Sequence, residues 1–219
     1  MSESVCLGIV LALAGGFMDA YSYLCRDQVF ANAQTGNMLL FGVKLSERNF
    51  PMAFHYFLPV LAFTAGIVCS DVVRHKARNI SLLHWRQISV LAEAVILMSV
   101  SFIPPGMSLL ANTLTSMACG IQVESFRKIR GNGIATTMCI GNLRSGTQCF
   151  CDYIIGKDKS CLRKGFLYYG IILFFVAGAV LGSLVIGYFH ERAVILCSVI
   201  LFIAFLLMFI QEKSVKKLM

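Results

Sequence analysis

Charged residues are scarce in this chain: Asp, Glu, Lys and Arg make up 14% of its 219 residues, against about a quarter in ordinary soluble domains. Hydrophobic residues make up 58%, and the mean hydropathy is +0.76. So few charges cannot cover a soluble fold of this length with polar surface. The composition therefore excludes a soluble domain and predicts an integral membrane protein.

The sequence signatures of common enzyme classes are also missing. There is no Walker loop, no HExxH sequence and no Ser/His/Asp set in a membrane context. The nine cysteines form no CxxC pair, and we interpret them as small apolar side chains. The alternative is a thiolate metal site around Cys149 and Cys151, although their spacing is not that of a zinc site. We predict neither enzymatic activity nor a cofactor or metal.

Apolar runs of about 20 residues, the length that crosses a bilayer, recur along the chain. No Lys or Arg precedes the first run, so we expect it to remain as a helix and not to be cleaved as a signal peptide. The runs fill one membrane domain, residues 1–219, with an all-α fold. They predict about six transmembrane helices, at residues 5–24, 51–72, 86–103, 107–126, 165–189 and 193–210.

Lys and Arg are distributed unevenly between the two sides of these helices. Fifteen of the nineteen fall on the side that holds both termini and the loops after the second and fourth helices. Cytoplasmic loops carry the excess of Lys and Arg, so we predict that both termini are cytoplasmic. This placement explains the net charge of +8 without a nucleic-acid partner, and the expected surroundings are the lipid bilayer.

The chain also aligns with itself. At an offset of 105 residues, Asp19 falls on Glu124, and the Gly-Asn pair at 36–37 falls on the Gly-Asn pair at 141–142. At an offset of 112, residues 63–68 fall on 175–180. An odd number of helices in each repeat inverts the second one, an arrangement common in transporters. We interpret the chain as two inverted three-helix repeats, residues 1–105 and 106–219.

A polar segment follows the first helix of each repeat, at residues 29–43 and 134–150. As a helix, the first would extend about 22 Å, less than the roughly 30 Å of the hydrocarbon core. The second is too polar to face lipid. We predict two re-entrant or broken half-helices that enter from opposite sides, with Asn37 and Asn142 as N-caps before Met38 and Leu143. The alternative is a pair of surface loops.

The candidate site consists of polar groups within the predicted membrane domain. Two half-helix N-termini near the midplane would attract an anion or a polar solute, and Arg144 would either add positive charge or anchor lipid phosphate. Intramembrane acids cost at least ~2.5 kcal/mol on insertion scales, so they are either functional or structurally paired. The predicted site residues are Asp19, Thr35, Gly36, Asn37, Glu93, Glu124, Thr137, Gly141, Asn142 and Arg144.

Small residues recur four apart at equivalent places in the second and fifth predicted helices, Gly66 with Ser70 and Gly178 with Gly182. This spacing lets helix backbones approach closely. We expect these residues to form contacts between the two repeats. The alternative is an interface in a homodimer.

Sequences within the two polar segments, and in the helices that precede them, resemble those of a known family. Residues 15–24 (GGFMDAYSYL) and 29–37 (VFANAQTGN) resemble the first signature of the YoaK-like bacterial membrane proteins, and residues 120–122 and 136–144 resemble the second. The likeness covers essentially the whole chain. Ile140 stands where the family usually has the Thr of a second Thr-Gly-Asn. The resemblance implies a bacterial inner-membrane protein with about six helices, and it implies no established substrate.

The leading functional hypothesis is a transporter or channel for a small polar or anionic solute, with its site between the repeats. Protonatable acids in such a site would permit proton coupling. The alternative is a non-transporting sensor or assembly component that binds a partner. An enzyme acting on lipid head groups is disfavoured, because Asp19 and Glu124 are predicted to lie on opposite sides of the membrane.

Overall fold

The computed structural model describes residues 3–77 and 84–216, with side chains described as far as residue 209. This part of the chain forms eight α-helices, two short 3-10 turns and a small hairpin. The helices are α1 (Val5–Cys25), α2 (Gln34–Ser46), α3 (Phe50–Lys76), α4 (Trp85–Val100), α5 (Ser108–Ser125), α6 (Cys139–Gly156), α7 (Lys159–Phe189) and α8 (Val194–Lys216). The 3-10 turns are Pro105–Met107 and His190–Ala193. The antiparallel hairpin joins β1 (Lys128–Ile129) to β2 (Asn132–Gly133).

Three stretches of the described chain are long and apolar enough to cross a membrane: Val5–Cys25, Phe50–Lys76 and Lys159–Phe209. The third stretch is 51 residues long and includes α7, the turn at His190–Ala193 and most of α8. α4 has only 16 residues, about 24 Å of helix, because it ends at Val100 and not at residue 103 as predicted. The structure is an all-α membrane fold. These three stretches do not confirm six separate spans, so the number of spans stays a prediction.

Two helix boundaries differ from the sequence prediction for a local reason. α7 begins at Lys159 and not at residue 165, because the Asp158 side chain caps it by accepting the Ser160 N–H. α4 begins after a capping box in which His84 and Gln87 each accept a backbone N–H. The C-terminal residues 217–219, predicted to be cytoplasmic, lie outside the described part of the chain.

Helix packing follows one pattern in both parts of the chain. α1 packs against α7, and α5 packs against α3; α2 lies on α3, and α6 lies on α7. α8 contacts α1, α4 contacts α5, and α4 and α8 pack against each other. Most of the buried hydrophobic residues form one cluster, to which α1, α4, α5 and α8 all contribute.

Small residues allow the closest of these helix contacts. A Cβ at Gly178 would overlap the Leu13 carbonyl of α1, and one at Gly66 would overlap the Met117 carbonyl of α5. Gly120 of α5 lies equally close to Phe63 of α3. Direct backbone contact between helices requires residues without side chains. The prediction that these small residues pack between parts of the chain is confirmed, and the homodimer stays a prediction.

Two extended segments run back along α1 from its opposite ends. The first, residues 26–33, begins at Arg26, which follows α1 directly. The second, residues 126–138, includes the hairpin, where the Arg130 N–H donates to the Glu3 carbonyl near the start of α1 at 2.9 Å. Both segments reach Gly15, the middle residue of α1: Asn32 Nδ2 donates to its carbonyl, and a Cβ at Gly15 would lie 2.8 Å from the Thr136 carbonyl. Each segment therefore extends about 15 Å along the helix before α2 or α6 begins.

Arg26 fixes the turn at the start of the first segment. Its side chain is fully buried, and the three guanidinium nitrogens donate to Tyr21 Oη at 3.0 Å, the Pro104 carbonyl at 3.0 Å and the Ile103 carbonyl at 2.8 Å. Asn112 of α5 donates in turn to the Arg26 carbonyl at 2.6 Å. These bonds tie the end of α1 to the connection between α4 and α5. No pattern in the sequence distinguishes Arg26 from the other basic residues of the loops.

Candidate functional site

Asn37 and Asn142 make the same pair of hydrogen bonds in the two parts of the chain. Asn37 Oδ1 accepts the Phe30 N–H at 3.0 Å, and its Nδ2 donates to the Phe30 carbonyl at 2.7 Å. Asn142 Oδ1 accepts the Ala135 N–H at 3.2 Å, and its Nδ2 donates to the Ala135 carbonyl at 2.6 Å. Each buried amide therefore satisfies both backbone groups of the residue seven positions earlier, in the extended segment.

The prediction that these asparagines are N-caps is wrong. α2 begins at Gln34 after Ala33, and α6 begins at Cys139 after Met138, so both asparagines lie in the first turn of their helix. Their side chains bond to the preceding segments and not to the first amides of their own helices. Neither Ala33 nor Met138 provides a side-chain cap. The first amides of both helices therefore lack a side-chain capping oxygen. In α2, the Gln34 and Gly36 N–H groups donate instead to the Asn32 and Ala33 carbonyls.

A cavity of about 510 Å³ lies where the two extended segments end. It is lined by residues 32–35, residues 137–140, Asp19 of α1, Phe63 of α3 and Phe175 of α7. The N-terminal turns of α2 and α6 thus border one space. Phe63 and Phe175 are the pair that the 112-residue offset matches. This volume is within the range of small-molecule binding sites.

Asp19 provides the carboxylate of the cavity. Its Oδ1 accepts the Asn32 N–H at 2.7 Å, and this bond helps to hold the extended segment in place. The side chain is only partly buried, and no basic residue within salt-bridge distance of it occurs among the described residues. None of the eleven described residues that line the cavity is Lys, Arg or His. Asp19 therefore gives the cavity a negative charge that no basic lining residue offsets.

Two further lining residues carry polar atoms without partners. Asn32 and Thr137 are each 1% exposed, and within the described part of the chain Asn32 Oδ1 and Thr137 Oγ1 have no hydrogen-bond partner. Asn32 Nδ2 is already used by Gly15. A buried polar atom without a partner costs about 1–3 kcal/mol. Both residues line the cavity, where a bound molecule could supply the missing bonds.

The remaining predicted site residues do not all lie at this cavity. Glu124 forms ion pairs with Arg127 at 3.2 Å and with Arg74 at 3.4 Å. Of the two roles predicted for an intramembrane acid, Glu124 therefore has the structural one. With Gly141 and Asn142 it borders a second, more open cavity of about 460 Å³. The structure thus places Asp19, Thr35 and Thr137 at one cavity and Glu124, Gly141 and Asn142 at another.

Glu93 and Arg144 lie away from both cavities. Glu93 is fully buried on α4, and neither carboxylate oxygen has a hydrogen-bond partner among the described residues. Arg144 is exposed on α6 and borders a shallow surface depression with Thr147. Gly36 packs on the Phe30 ring and lines neither cavity.

Asn32, Phe63 and Phe175 line the cavity but were not among the predicted site residues. The self-alignment contained a signal for both phenylalanines, because they match at the 112-residue offset. It contained one for Asn32 as well, because Asn32 falls on the predicted site residue Thr137 at the offset of 105. Within the described residues, no three His, Cys, Asp or Glu side chains are grouped to hold a metal ion.

The fold and cavity define the class of this protein: a helical membrane protein with a partly open cavity that is lined by both apolar and polar residues. The chain belongs to the family described as protein of unknown function DUF1275, whose sequence model matches residues 7–207. It is 25% identical over 184 residues to the UPF0700 transmembrane protein YoaK of Bacillus subtilis (strain 168), a match that covers 80% of each chain. The expected YoaK-like family is confirmed. No solved structure matches the chain.

Proposed function

We propose that this protein is a small-solute transporter or channel of the bacterial cytoplasmic membrane, with its site in the 510 Å³ cavity. The observation that carries this proposal is the convergence of two helix N-termini without side-chain caps, one carboxylate and two unpartnered polar atoms on one cavity. Backbone that is not helical is tolerated at membrane depth only inside protein or along a wet cavity. A cavity built in this way is typical of a solute site.

We also propose that the chain is an inverted repeat, with α1–α4 in the first half and α5–α8 in the second. In this repeat α1, α2, α3 and α4 correspond to α5, α6, α7 and α8. Replacing each helix by its counterpart turns the α1–α7 contact into the α5–α3 contact, and the α2–α3 contact into the α6–α7 contact. The α4–α8 contact is unchanged by the exchange. The matching hydrogen bonds of Asn37 and Asn142 support the same equivalence. In this proposal α2 and α6 are re-entrant half-helices, and both termini are cytoplasmic.

The two halves are not equivalent in charge. Asp19 faces the cavity, whereas its counterpart Glu124 is neutralised by Arg74 and Arg127. Only one acid therefore serves the proposed site, and Arg144 makes no contribution to it. This asymmetry supports a site that binds a solute in one orientation.

The test is uptake by purified protein in proteoliposomes, across a panel of amino acids, amines, carboxylates and sugars. We expect uptake of at least one solute class by the wild type and a loss of about tenfold or more in Asp19→Asn, because charged hydrogen bonds contribute about 1.5–3 kcal/mol. Arg144→Gln is the matched control, since Arg144 is exposed and outside the cavity. Equal uptake by wild type and Asp19→Asn would contradict the site.

The alternative, a non-transporting component that binds a partner, predicts a sealed interior in which polar groups are paired. Asn32 and Thr137 each leave one polar atom unpaired beside the cavity, which favours the solute site. Uptake at the level of empty liposomes for every solute class would favour the alternative instead.

A further inference from the structure

The cavity of the proposed function has two chemically different sides, and we propose that its ligand is a small zwitterion that carries an ammonium and a carboxylate on an apolar body. This inference rests on the proposed function only for the location of the site. It names the class of molecule that the lining groups would bind.

The first side presents hydrogen-bond acceptors. Asp19 supplies a carboxylate of which one oxygen accepts the Asn32 N–H, and Asn32 adds a side-chain oxygen without a partner in the described chain. No basic side chain lines the cavity among these residues. An ammonium group donates three hydrogen bonds and carries the charge that a carboxylate attracts, so it matches this side.

The second side presents donors. Residues 137–140 form the wall, and α6 begins within it at Cys139 without a side-chain cap. The first amide N–H groups of a helix point outward at its N-terminus and carry partial positive charge, so they bind carboxylates and phosphates. The unpartnered Thr137 hydroxyl lies immediately before this turn and can donate to the same group.

The apolar part of the ligand has a place beside these two polar groups, since an α-amino acid carries both of its charged groups on one carbon. Phe63 and Phe175 line the cavity from α3 and α7, and Met138 and Ile140 add apolar surface. Aromatic rings bind apolar groups and also attract cations over their faces. A molecule with one charge of each sign satisfies both polar sides and brings no net charge into a low-dielectric site, where an unpaired ion is costly.

The test uses two matched ligand series that differ only in their charged groups: L-phenylalanine, phenethylamine and 3-phenylpropionate; and L-leucine, 3-methylbutylamine and 4-methylpentanoate. Binding to the purified full-length protein in nanodiscs is measured by calorimetry. We expect at least one amino acid to bind about tenfold or more tightly than its own amine and its own acid, because each charged group adds hydrogen bonds.

Two variants assign the charged groups to their sides. Asp19→Asn should weaken binding of the amino acid and the amine about tenfold and leave the acid unchanged. Thr137→Val should weaken the amino acid and the acid more than the amine. Arg144→Gln should bind like the wild type, and monodisperse elution identifies folded variants. If Asp19→Asn does not fold, the wild-type series and Thr137→Val still decide the proposal.

The outcomes separate the ligand class from the function. An amine or an acid that binds as tightly as its amino acid overturns the zwitterion, as does a failure of both amino acids to bind. If sugars or simple ions are then taken up by proteoliposomes, the proposed function stands without this ligand class. Amino-acid binding without uptake supports the ligand class and contradicts transport.

Discussion

At the scale of single residues, the buried amides of Asn37 and Asn142 hold the extended segments against the helices that follow them. Each amide side chain pairs with both backbone groups of one residue, Phe30 or Ala135. The extended segments have few helical or strand partners of their own, so these bonds satisfy backbone groups that would otherwise be buried without partners. The role of both asparagines in the structure is therefore to position the walls of the cavity.

We expect Asn37→Ala and Asn142→Ala each to lower the free energy of unfolding by about 1–3 kcal/mol, because each leaves a backbone N–H and carbonyl without their partner. Unfolding of the purified protein in mixed detergent micelles, followed by circular dichroism, measures this loss. Gln148→Ala, at an exposed position of α6, is the control and should change stability by less than about 0.5 kcal/mol. Losses no larger than that of the control would contradict the positioning role.

Arg26 gives a second prediction at this scale. Arg26→Lys keeps the charge but loses the planar group that donates to Tyr21, Pro104 and Ile103 at once. We expect a loss of about 2 kcal/mol or more, since bonds to a charged group contribute about 1.5–3 kcal/mol. The same unfolding assay applies, with the exposed Arg48→Lys as the control. Equal stability of the two variants would show that the buried guanidinium bonds contribute little.

At the scale of helices, packing depends on residues that lack side chains at the contacts. α7 contains both kinds of glycine: Gly178 lies against the Leu13 carbonyl of α1, whereas an added Cβ at Gly170 would meet nothing within 4 Å. The contact at Gly178 lets α1 and α7 lie close enough to bury much of α1. Helix propensity alone would favour alanine at both positions.

We therefore expect opposite effects from one substitution at two places in α7. Gly178→Ala should destabilise the protein by about 1–3 kcal/mol because the methyl group forces the helices apart. Gly170→Ala should be neutral or stabilise by up to about 1 kcal/mol because alanine is the better helix former. Detergent unfolding of both variants measures the difference, and effects of the same sign and size would contradict the backbone contact.

At the scale of the whole molecule, the arrangement of the chain relative to the bilayer follows from charge and from the two extended segments. α6 has 18 residues, about 27 Å, which is close to the length of a full span. Length alone therefore does not decide whether α6 crosses the membrane or returns to the side from which its segment entered. Thr136 lies beside the middle residue of α1, which favours a re-entrant path.

Epitope tags inserted at Gly131 and at Lys157 test this path, because Gly131 lies in the hairpin turn before α6 and Lys157 follows α6 directly. Both residues are exposed. We expect antibody to reach both tags only in inside-out vesicles, since a re-entrant α6 returns to the side that the proposed orientation, based on the Lys and Arg excess, makes cytoplasmic. A tag at Gly106 lies in the turn between α4 and α5, which the proposal places on the other side of the membrane. It should be reached only in right-side-out vesicles. Tags at 131 and 157 on different sides would show that α6 spans the membrane.

The self-alignment anticipated part of the site, because equivalent residues at the offset of 105 occupy equivalent places. Asn37 and Asn142 bond alike, and both extended segments end at the cavity. The N-cap prediction failed because capping patterns describe local bonds, whereas both side chains bond to a segment that folds back on the helix. One local signal separates Glu124 from Asp19, because Arg127 follows Glu124 by three residues, whereas the second partner, Arg74, is 50 residues away.

Composition and apolar runs by themselves determined that this is an all-α membrane protein, since hydrophobic content and helix length are properties of the chain before it folds. Because charge is scarce, the sequence also identified the few polar groups inside apolar helices as candidates for a site or for structural pairing. Only the tertiary structure decided which of these groups meet. The cavity joins residues 19, 32 and 137, and contacts at such separations depend on how the helices pack.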